Sequence, residues 1–473
     1  MSLSPSRKRW ILFVSAGVLL RLIFIVFPRP QDDDSGVYLE LGHNLLHRGI
    51  YGVADGDDLT PSLFRLPGYP IFLATIELLF AKIWPAAWLN AVLVIQAIAD
   101  LIGGLLLASF ARRFLSPRAA EVALALAMLC PFTAVETGIA MTESLSIFAV
   151  SLGIYAAGRA LAAAEAGSRD LWALVLAGCA SALAMIIRPD GALLPAALGL
   201  GLMGYTIRNF VRKRQPLTWP ALRIQIASAL LFCLVSVAPL VPWTVRNWTD
   251  FHLFQPLAPR HVNDPGERVN YGFYRWMRTW STEFLSTANI FWKVGSETID
   301  IDDIPARAFD SPQQREQTRL LLDEYNQTKG ISPELDARFA ALAAERIHSH
   351  PFRYCVTVPL MRVADMLLRP RTEAFYLDIY WWSWSDRPIQ TALSSLLGLI
   401  NLGYVALAAW GFLRGRVPWA WMLGAYLVMR FLLLGTMENA EPRYTLQCFP
   451  ILIVAAAAAI APRLKAGDRP AGD

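Results

Sequence analysis

Charge is scarce in this chain. Asp, Glu, Lys and Arg make up 17% of its 473 residues, against roughly 25% in an ordinary soluble domain. With 55% hydrophobic residues, that scarcity excludes a disordered chain and most soluble enzymes. Cysteine is scarce too. Cys130, Cys179, Cys233, Cys355 and Cys448 are scattered singly and no CxxC occurs, which argues against a disulfide framework and against a zinc site of that type. There is no low-complexity tract, and no internal repeat of the inverted kind on which many transporters are built. The net charge of +5 does not point to nucleic acid, because the basic residues stand in short clusters beside apolar runs, where membrane topology signals lie.

Long apolar runs are plentiful. They lie at Trp10–Phe27, Leu89–Ala111, Ala119–Val135, Thr142–Leu161, Leu171–Ile187, Gly191–Ile207, Ile224–Trp243, Thr391–Leu413, Trp419–Gly435 and Leu446–Ala461. Each approaches the roughly 20 residues that a helix needs to cross a bilayer. The first follows Arg7-Lys8-Arg9 with no small-residue cleavage site after it, so it reads as a retained signal anchor with a cytoplasmic N-terminus. A further run, Tyr69–Trp84, is short and decides the side of every later loop. If it does not cross, the cytoplasm receives Arg112, Arg113 and Arg118; Arg159 and Arg169; Arg208, Arg212, Lys213 and Arg214; Arg414 and Arg416; and Arg463 and Lys465. If it crosses, these clusters move outside, against the positive-inside bias. The expectation is therefore an interfacial helix on the outer face.

The resulting architecture is an all-α integral membrane protein. It has about ten or more transmembrane helices, juxtamembrane helices on the outer face and a large outer loop. Residues 1–245 form an N-terminal transmembrane module that includes a first outer loop at 28–88. Residues 246–390 form the large loop, mixed and helical in pieces such as Ser311–Lys329 and Pro333–His348. Residues 391–473 hold the last transmembrane helices. The aromatic patch from Phe375 to Trp384 suits a headgroup region.

In this topology the polar motifs share the outer side. They are Asp32-Asp33-Asp34-Ser35 with Tyr38; Phe64-Arg65-Leu66-Pro67-Gly68-Tyr69-Pro70; Met141-Thr142-Glu143-Ser144; Arg188-Pro189-Asp190-Gly191; Trp243 to Asn247 with Arg246; and Glu438 to Tyr444 with Arg443. Charge at a membrane boundary is costly unless solvated or paired, so a common side predicts a shared polar cavity. Taken one by one, each motif has a plainer explanation. A triple Asp can be a solvated helix cap, Glu143 can cap the helix it begins, and the arginines can be snorkelling anchors. Arg21 inside the first run can tie to a buried acid such as Asp100. His348 and His350 lack a third ligand nearby and read as solvated loop residues.

The chemistry open to these groups is glycosyl transfer. Nucleotide sugars are not supplied outside the membrane, so a donor there would be lipid-linked. A carboxylate can take the acceptor hydroxyl proton as that oxygen attacks the anomeric carbon, and arginines can hold the departing polyprenyl phosphate. One base and one phosphate clamp imply a single inverting displacement.

At these residues the sequence resembles the GT-C membrane glycosyltransferases, in the bacterial branch related to protein O-mannosyltransferases and lipid A aminoarabinose transferases. Within that branch the sequence looks like the group with the rhizobial galacturonosyltransferase-like enzymes. The resemblance runs from the Asp segment to Trp243–Asn247 and returns at Glu441–Tyr444. It implies the GT-C fold and a bacterial inner-membrane enzyme whose site faces the periplasm. In such an enzyme the first-loop Asp that stands four residues before a Tyr, with a Gly eleven beyond, is the base. That spacing selects Asp34, with Tyr38 and Gly49, and Asp33 as the reserve. By the same resemblance Arg65, Arg246 and Arg443 contact the donor phosphate, and Tyr38, Tyr69, Glu143, Arg188 and Tyr444 line the substrate site. The same resemblance allows a divalent cation held by Asp34 and Glu143. The implied partners are a polyprenyl-phosphate sugar donor, a lipid, glycan or protein acceptor and membrane lipid, with no nucleic acid. The second motif has Leu66-Pro67 where aminoarabinose transferases carry a Lys after an acid, which speaks against aminoarabinose as the sugar. An O-antigen-ligase-type transferase and a lipid-linked sugar transporter or flippase remain the alternative readings.

Overall fold

The structure is a computed structural model that describes residues 5–56, 58–85, 87–213 and 219–461. Arg214, Arg463 and Lys465 of the basic clusters lie outside the described residues. The chain separates into two compact units, Met1–Gly266 with Gly403–Leu427 and Leu446–Asp473, and Glu267–Leu402 with Val428–Thr445.

The first unit is helical apart from one hairpin. Helix α1 (Pro5–Val26) is followed by α2 (Asp33–Arg48), strands β1 (Gly52–Asp55) and β2 (Asp58–Pro61), α3 (Gly68–Phe80) and α4 (Trp88–Phe114). Then come α5 (Pro117–Met128), α6 (Pro131–Val135), α7 (Glu143–Glu165), α8 (Leu171–Ile187), α9 (Leu193–Lys213), α10 (Trp219–Val237) and α11 (Leu240–Phe251). Helices α4, α5, α7 and α8 carry many of its buried residues, largely Ala, Gly, Ser and Leu. Small side chains of this kind let apolar helices approach closely. The expected tie between Arg21 and Asp100 is present. Arg21 Nε and Nη2 donate to Asp100 Oδ2 at 2.9 and 2.5 Å, and Nη1 donates to the carbonyls of Gly17 and Met128. A buried charge pair with its remaining donors satisfied fixes α1 against α4 and α5 without stranding a polar group.

Proline sets the breaks. Cys130 precedes Pro131 and is extended (φ −68°, ψ 110°), and α5 and the following turn bend by 42° there. Pro239 marks a 49° bend between α10 and α11. A residue before proline is pushed out of helical geometry, and proline itself cannot complete the ladder.

The second unit continues with α12 (Tyr271–Arg278), α13 (Phe284–Ser286), α14 (Pro312–Thr328), α15 (Pro333–Ser349) and α16 (Val358–Leu368). Helices α17 (Pro388–Leu413) and α18 (Ala420–Gly435) lie partly in each unit, and α19 (Phe449–Ile460) belongs to the first. The two helices expected from Ser311 and Pro333 form as read, with Ser311 and Ser332 as side-chain caps. Their core packs Phe273, Trp276, Trp280, Tyr325 and Phe339. The buried Arg346 donates to Thr279 Oγ1, Gln314 Oε1 and the Arg307 carbonyl.

Among the described residues, five helices are long and apolar enough to cross a membrane, and seven if each bent pair counts as one span. Helices α3, α8 and α18 are shorter apolar helices. Helix α3, at 13 residues, reaches only about 20 Å, short of the ~30 Å hydrocarbon core. The β1–β2 hairpin, paired from Gly52–Pro61 to Asp55–Asp58, is an addition to the all-α expectation.

Candidate active site

The three side chains of the triple Asp have different surroundings. Asp32 caps α2, its carboxylate accepting from Ser35 N at 2.8 Å. Asp33 is exposed. Asp34, one turn of helix before Tyr38, pairs with Arg65 through Nη2. The plain capping explanation therefore holds for one Asp of the three.

Arg65 lies with its guanidinium 5.2 Å over the Tyr38 ring. Its Nε is buried with no hydrogen-bond partner. Tyr38 in turn meets Tyr69 edge-on at 5.3 Å, and Tyr69 donates to Gln96 Oε1 at 2.6 Å. Gln96 Nε2 continues to the Ile139 carbonyl, which fixes the chain just before Thr142. Gly68 is needed at the foot of α3, because a Cβ there would fall 2.7 Å from the Ile186 carbonyl oxygen.

Arg188 arrives from α8. Pro189 forces it extended (φ −142°, ψ 139°), so the helix stops and the side chain leaves the helical path. Its Nη1 donates to Glu143 Oε1 at 2.7 Å and to Thr142 Oγ1 at 3.0 Å, and its Nε donates to Asp190 Oδ1 at 3.1 Å. Glu143 is fully buried. Burial pushes the Tyr38 phenol upward, opposed by the charges of Arg65 and Arg188 and helped by those of Asp34 and Glu143. The charges of both ion pairs thus act on this one phenol, which the Arg65 guanidinium covers directly. Asp34, Tyr69 and Glu143 all stand in the first turns of their helices α2, α3 and α7. Helix N-termini favour negative charge, so the assembly suits an anion.

Arg246 has a different environment. It donates to the carbonyls of Ser62 (2.7 Å) and Tyr51 (2.9 Å), pairs with Asp250 at 2.9 Å, and lies over the rings of Trp243 and Phe251. Tyr51 OH donates to the Arg65 carbonyl, and Asp264 accepts from Leu63 N at 2.7 Å. Arg246 thereby holds the hairpin and the strand of chain that carries Arg65. Burial raises the Tyr51 phenol well above its ordinary value, so it stays a donor.

Arg443 and Tyr444 belong to the second unit. There Glu441 accepts from Arg443 Nε at 2.5 Å and from Tyr444 OH and Asn439 Nδ2 at 2.9 Å. Arg430 grips the Tyr444 carbonyl, and Arg371 donates to the Pro442 carbonyl and Thr445 Oγ1.

The donor set for a cation does not form around Asp34 and Glu143, since each carboxylate faces a guanidinium. Among the described residues the metal-capable group is His43, His47 and Glu77. Sequence reading passed over these three, although two His at i and i+4 on a helix are a usable signal. It also passed over Gln96 and Asp264. Gln96 is a lone amide inside an apolar run, and Asp264 acts across a gap that no local spacing encodes.

Comparison with known proteins bears on the fold. Residues 69–243 match the profile of the family described as dolichyl-phosphate-mannose-protein mannosyltransferase. No curated protein matches by sequence. The oligosaccharyltransferase of Archaeoglobus fulgidus, solved with Zn and sulfate, aligns at a TM-score of 0.50 and 14% identity, covering 95% of this chain and 48% of that one. AglB of the same organism, solved with an inhibitory peptide and a dolichol-phosphate, aligns at 0.49 and 12%, covering 96% and 50%. ArnT from Cupriavidus metallidurans, bound to undecaprenyl phosphate, aligns at 0.38 and 15%, covering 95% and 77%. The chain thus spans about half the length of the archaeal structures it matches. The fold is that of the GT-C membrane enzymes, and the resemblance read from the sequence is borne out. The chain is a multi-pass membrane protein.

Proposed function

We propose that this protein is a membrane glycosyltransferase that moves a sugar from a polyprenyl-phosphate donor to an acceptor hydroxyl on the outer face of the bacterial inner membrane. The observation that carries the reading is the cluster around Tyr38, where a half-buried carboxylate, two guanidiniums and three helix N-termini meet.

In the resting protein Arg65 holds Asp34. A donor phosphate offers the same guanidinium a competing acceptor, since arginine forks onto phosphate as readily as onto carboxylate. The orphaned Arg65 Nε gives that oxygen a donor that nothing in the protein satisfies. Donor binding thus releases Asp34 to act as base. The acceptor O–H proton passes to an Asp34 carboxylate oxygen while the acceptor oxygen bonds to the anomeric carbon. The bond from that carbon to the phosphate oxygen breaks, and its electron pair leaves with the polyprenyl phosphate, held by Arg65. Arg188 is spoken for by Glu143 and Asp190, so its task is to set the floor of the site, with Tyr69 and Tyr38 against the sugar. The attack comes from the face opposite the leaving phosphate, so configuration inverts. Arg246 keeps Arg65 in place through the hairpin. The acceptor is a lipid, a glycan or a protein.

The test is Asp34→Asn in the full-length protein. Transfer from a panel of polyprenyl-phosphate sugars should fall by about 10²–10⁴-fold, the range of a lost general base, while binding of the lipid donor persists. Turnover equal to the wild type would remove Asp34 from the mechanism.

A further inference from the structure

The cluster on the other half of α2 is not used by the transfer chemistry proposed above. His43 and His47 stand one turn apart on α2, and Glu77 faces them from α3. Glu77 Oε1 lies 3.0 Å from His43 Nδ1 and 2.9 Å from His47 Nε2, and the two imidazole rings are 4.3 Å apart. Both rings are about half exposed, at 56% and 51%, while the carboxylate is 10% exposed. Solvent therefore reaches the imidazoles, and the acid is sunk behind them.

Two features distinguish this from an ordinary surface cluster. First, Glu77 is the only charged residue of α3, an apolar helix in which an unpaired carboxylate would be costly. Second, the two helices are held close here. They run side by side in the same direction, Tyr38 meeting Tyr69 near their starts and His43 and His47 meeting Glu77 near their ends. Gly42 lies between, where a Cβ would come 2.9 Å from the Pro70 carbonyl oxygen. The three ligand atoms come from two rigid, closely packed elements.

We infer that His43, His47 and Glu77 form a binding site for a borderline-soft divalent cation of the zinc class. Two imidazole nitrogens and one carboxylate oxygen are the donor set this ion prefers, with water completing a four-coordinate shell. Bonds of about 2.0–2.1 Å at tetrahedral angles put ligand atoms roughly 3.3 Å apart; the two spacings to Glu77, 3.0 and 2.9 Å, are within a few tenths of an ångström of that, and all three ligand atoms lie within 4.8 Å of one another. His at i and i+4 on one helix face is the spacing that lets two imidazoles share an ion. Magnesium, which keeps its waters and prefers oxygen ligands, is a poor fit. The ion would staple α2 to α3, and those helices carry Asp34 and Tyr69 at their other ends. The assignment rests on these three side chains alone and is independent of the transfer chemistry.

The full-length protein in nanodiscs, stripped with EDTA, is exchanged into buffer with about 10 μM free Zn²⁺ and the bound metal counted by mass spectrometry. One zinc per chain is expected, unaffected by excess Mg²⁺, and Co²⁺ in its place should give the visible absorption of a four-coordinate site. His47→Ala and Glu77→Gln should each weaken binding by at least about tenfold. If a variant fails to fold, zinc protection of His43 and His47 in the wild type against diethylpyrocarbonate replaces it, read by peptide mapping. Absence of bound zinc in the wild type, equal binding by well-folded variants, or no protection would overturn the assignment.

Discussion

Asp34 and Arg65, 31 residues apart in sequence, form an ion pair in which the same guanidinium lies 5.2 Å over Tyr38. The pair ties the first turn of α2 to the segment between the hairpin and α3. It also sets the resting charge of the site, because the carboxylate proposed as base is already engaged by the group proposed to receive the phosphate.

Arg65→Ala and Arg65→Lys therefore separate charge from geometry. Loss of the planar fork should lower kcat/KM for sugar transfer by about 10²-fold or more in the Ala variant, the scale of a lost transition-state donor. The Lys variant should recover part of this, since it keeps the charge but not the two-pronged geometry. Lipid-donor binding should weaken in step. Unchanged kcat/KM in Arg65→Ala would exclude Arg65 from the phosphate site.

The outer-face reading makes a topological prediction. Arg118, exposed at the start of α5, should be cytoplasmic, whereas the exposed Cys355 should face outward. In a chain with Cys179 and Cys233 replaced by Ser, an impermeant thiol reagent applied to intact cells should label Cys355. A cysteine introduced by Arg118→Cys should stay unlabelled until the cells are opened. The reverse pattern would put the Tyr38 cluster on the cytoplasmic side.

The second unit carries a pH signature at Asp365. Burial pushes its carboxyl up to about 6, above the ordinary 3.8, against the pull of Arg369 and a hydrogen bond from Phe284 N. The folded state then holds a proton that the unfolded chain releases. This contribution is full below about 3.8 and disappears as the pH rises through about 6. The difference of some two units corresponds to about 3 kcal/mol at most. Asp365→Asn removes the titration, so its thermal stability relative to the wild type should improve between pH 4 and pH 7. A difference that stays flat across that interval would show that Asp365 does not titrate there.

Much of the architecture could be read from hydropathy alone. The runs at Trp10–Phe27, Leu89–Ala111 and Thr142–Leu161 coincide with α1, α4 and α7 to within a few residues, because an apolar segment of that length has few alternatives in lipid. Proline made one boundary predictable and a second was missed. Pro189 ends α8 at the break read between two apolar runs, whereas Pro131 splits the run Ala119–Val135, read as continuous, into α5 and α6. The β1–β2 hairpin was not foreseen, since its strands are only four residues each and lack an alternating pattern.

Within the site, the family resemblance selected Asp34 from three adjacent aspartates, and the three have different surroundings: Asp32 caps, Asp33 faces solvent and Asp34 pairs with Arg65. The partners of each group were not legible. Arg246 was expected beside a phosphate, and its donors instead meet the carbonyls of Ser62 and Tyr51 and the carboxylate of Asp250. Glu143 and Arg188 were separate candidates, and packing made them one buried pair.

By itself the sequence determined the membrane character, the helix register and the kinds of charged group available, because these depend on local composition, on proline and on the distance between residues along a helix. Tertiary structure alone decided which carboxylate faces which guanidinium, and that His43 and His47 share Glu77 across two helices. Such pairings depend on how helices far apart in sequence pack, and a close contact between side chains 30 or more residues apart leaves no periodic trace in the chain.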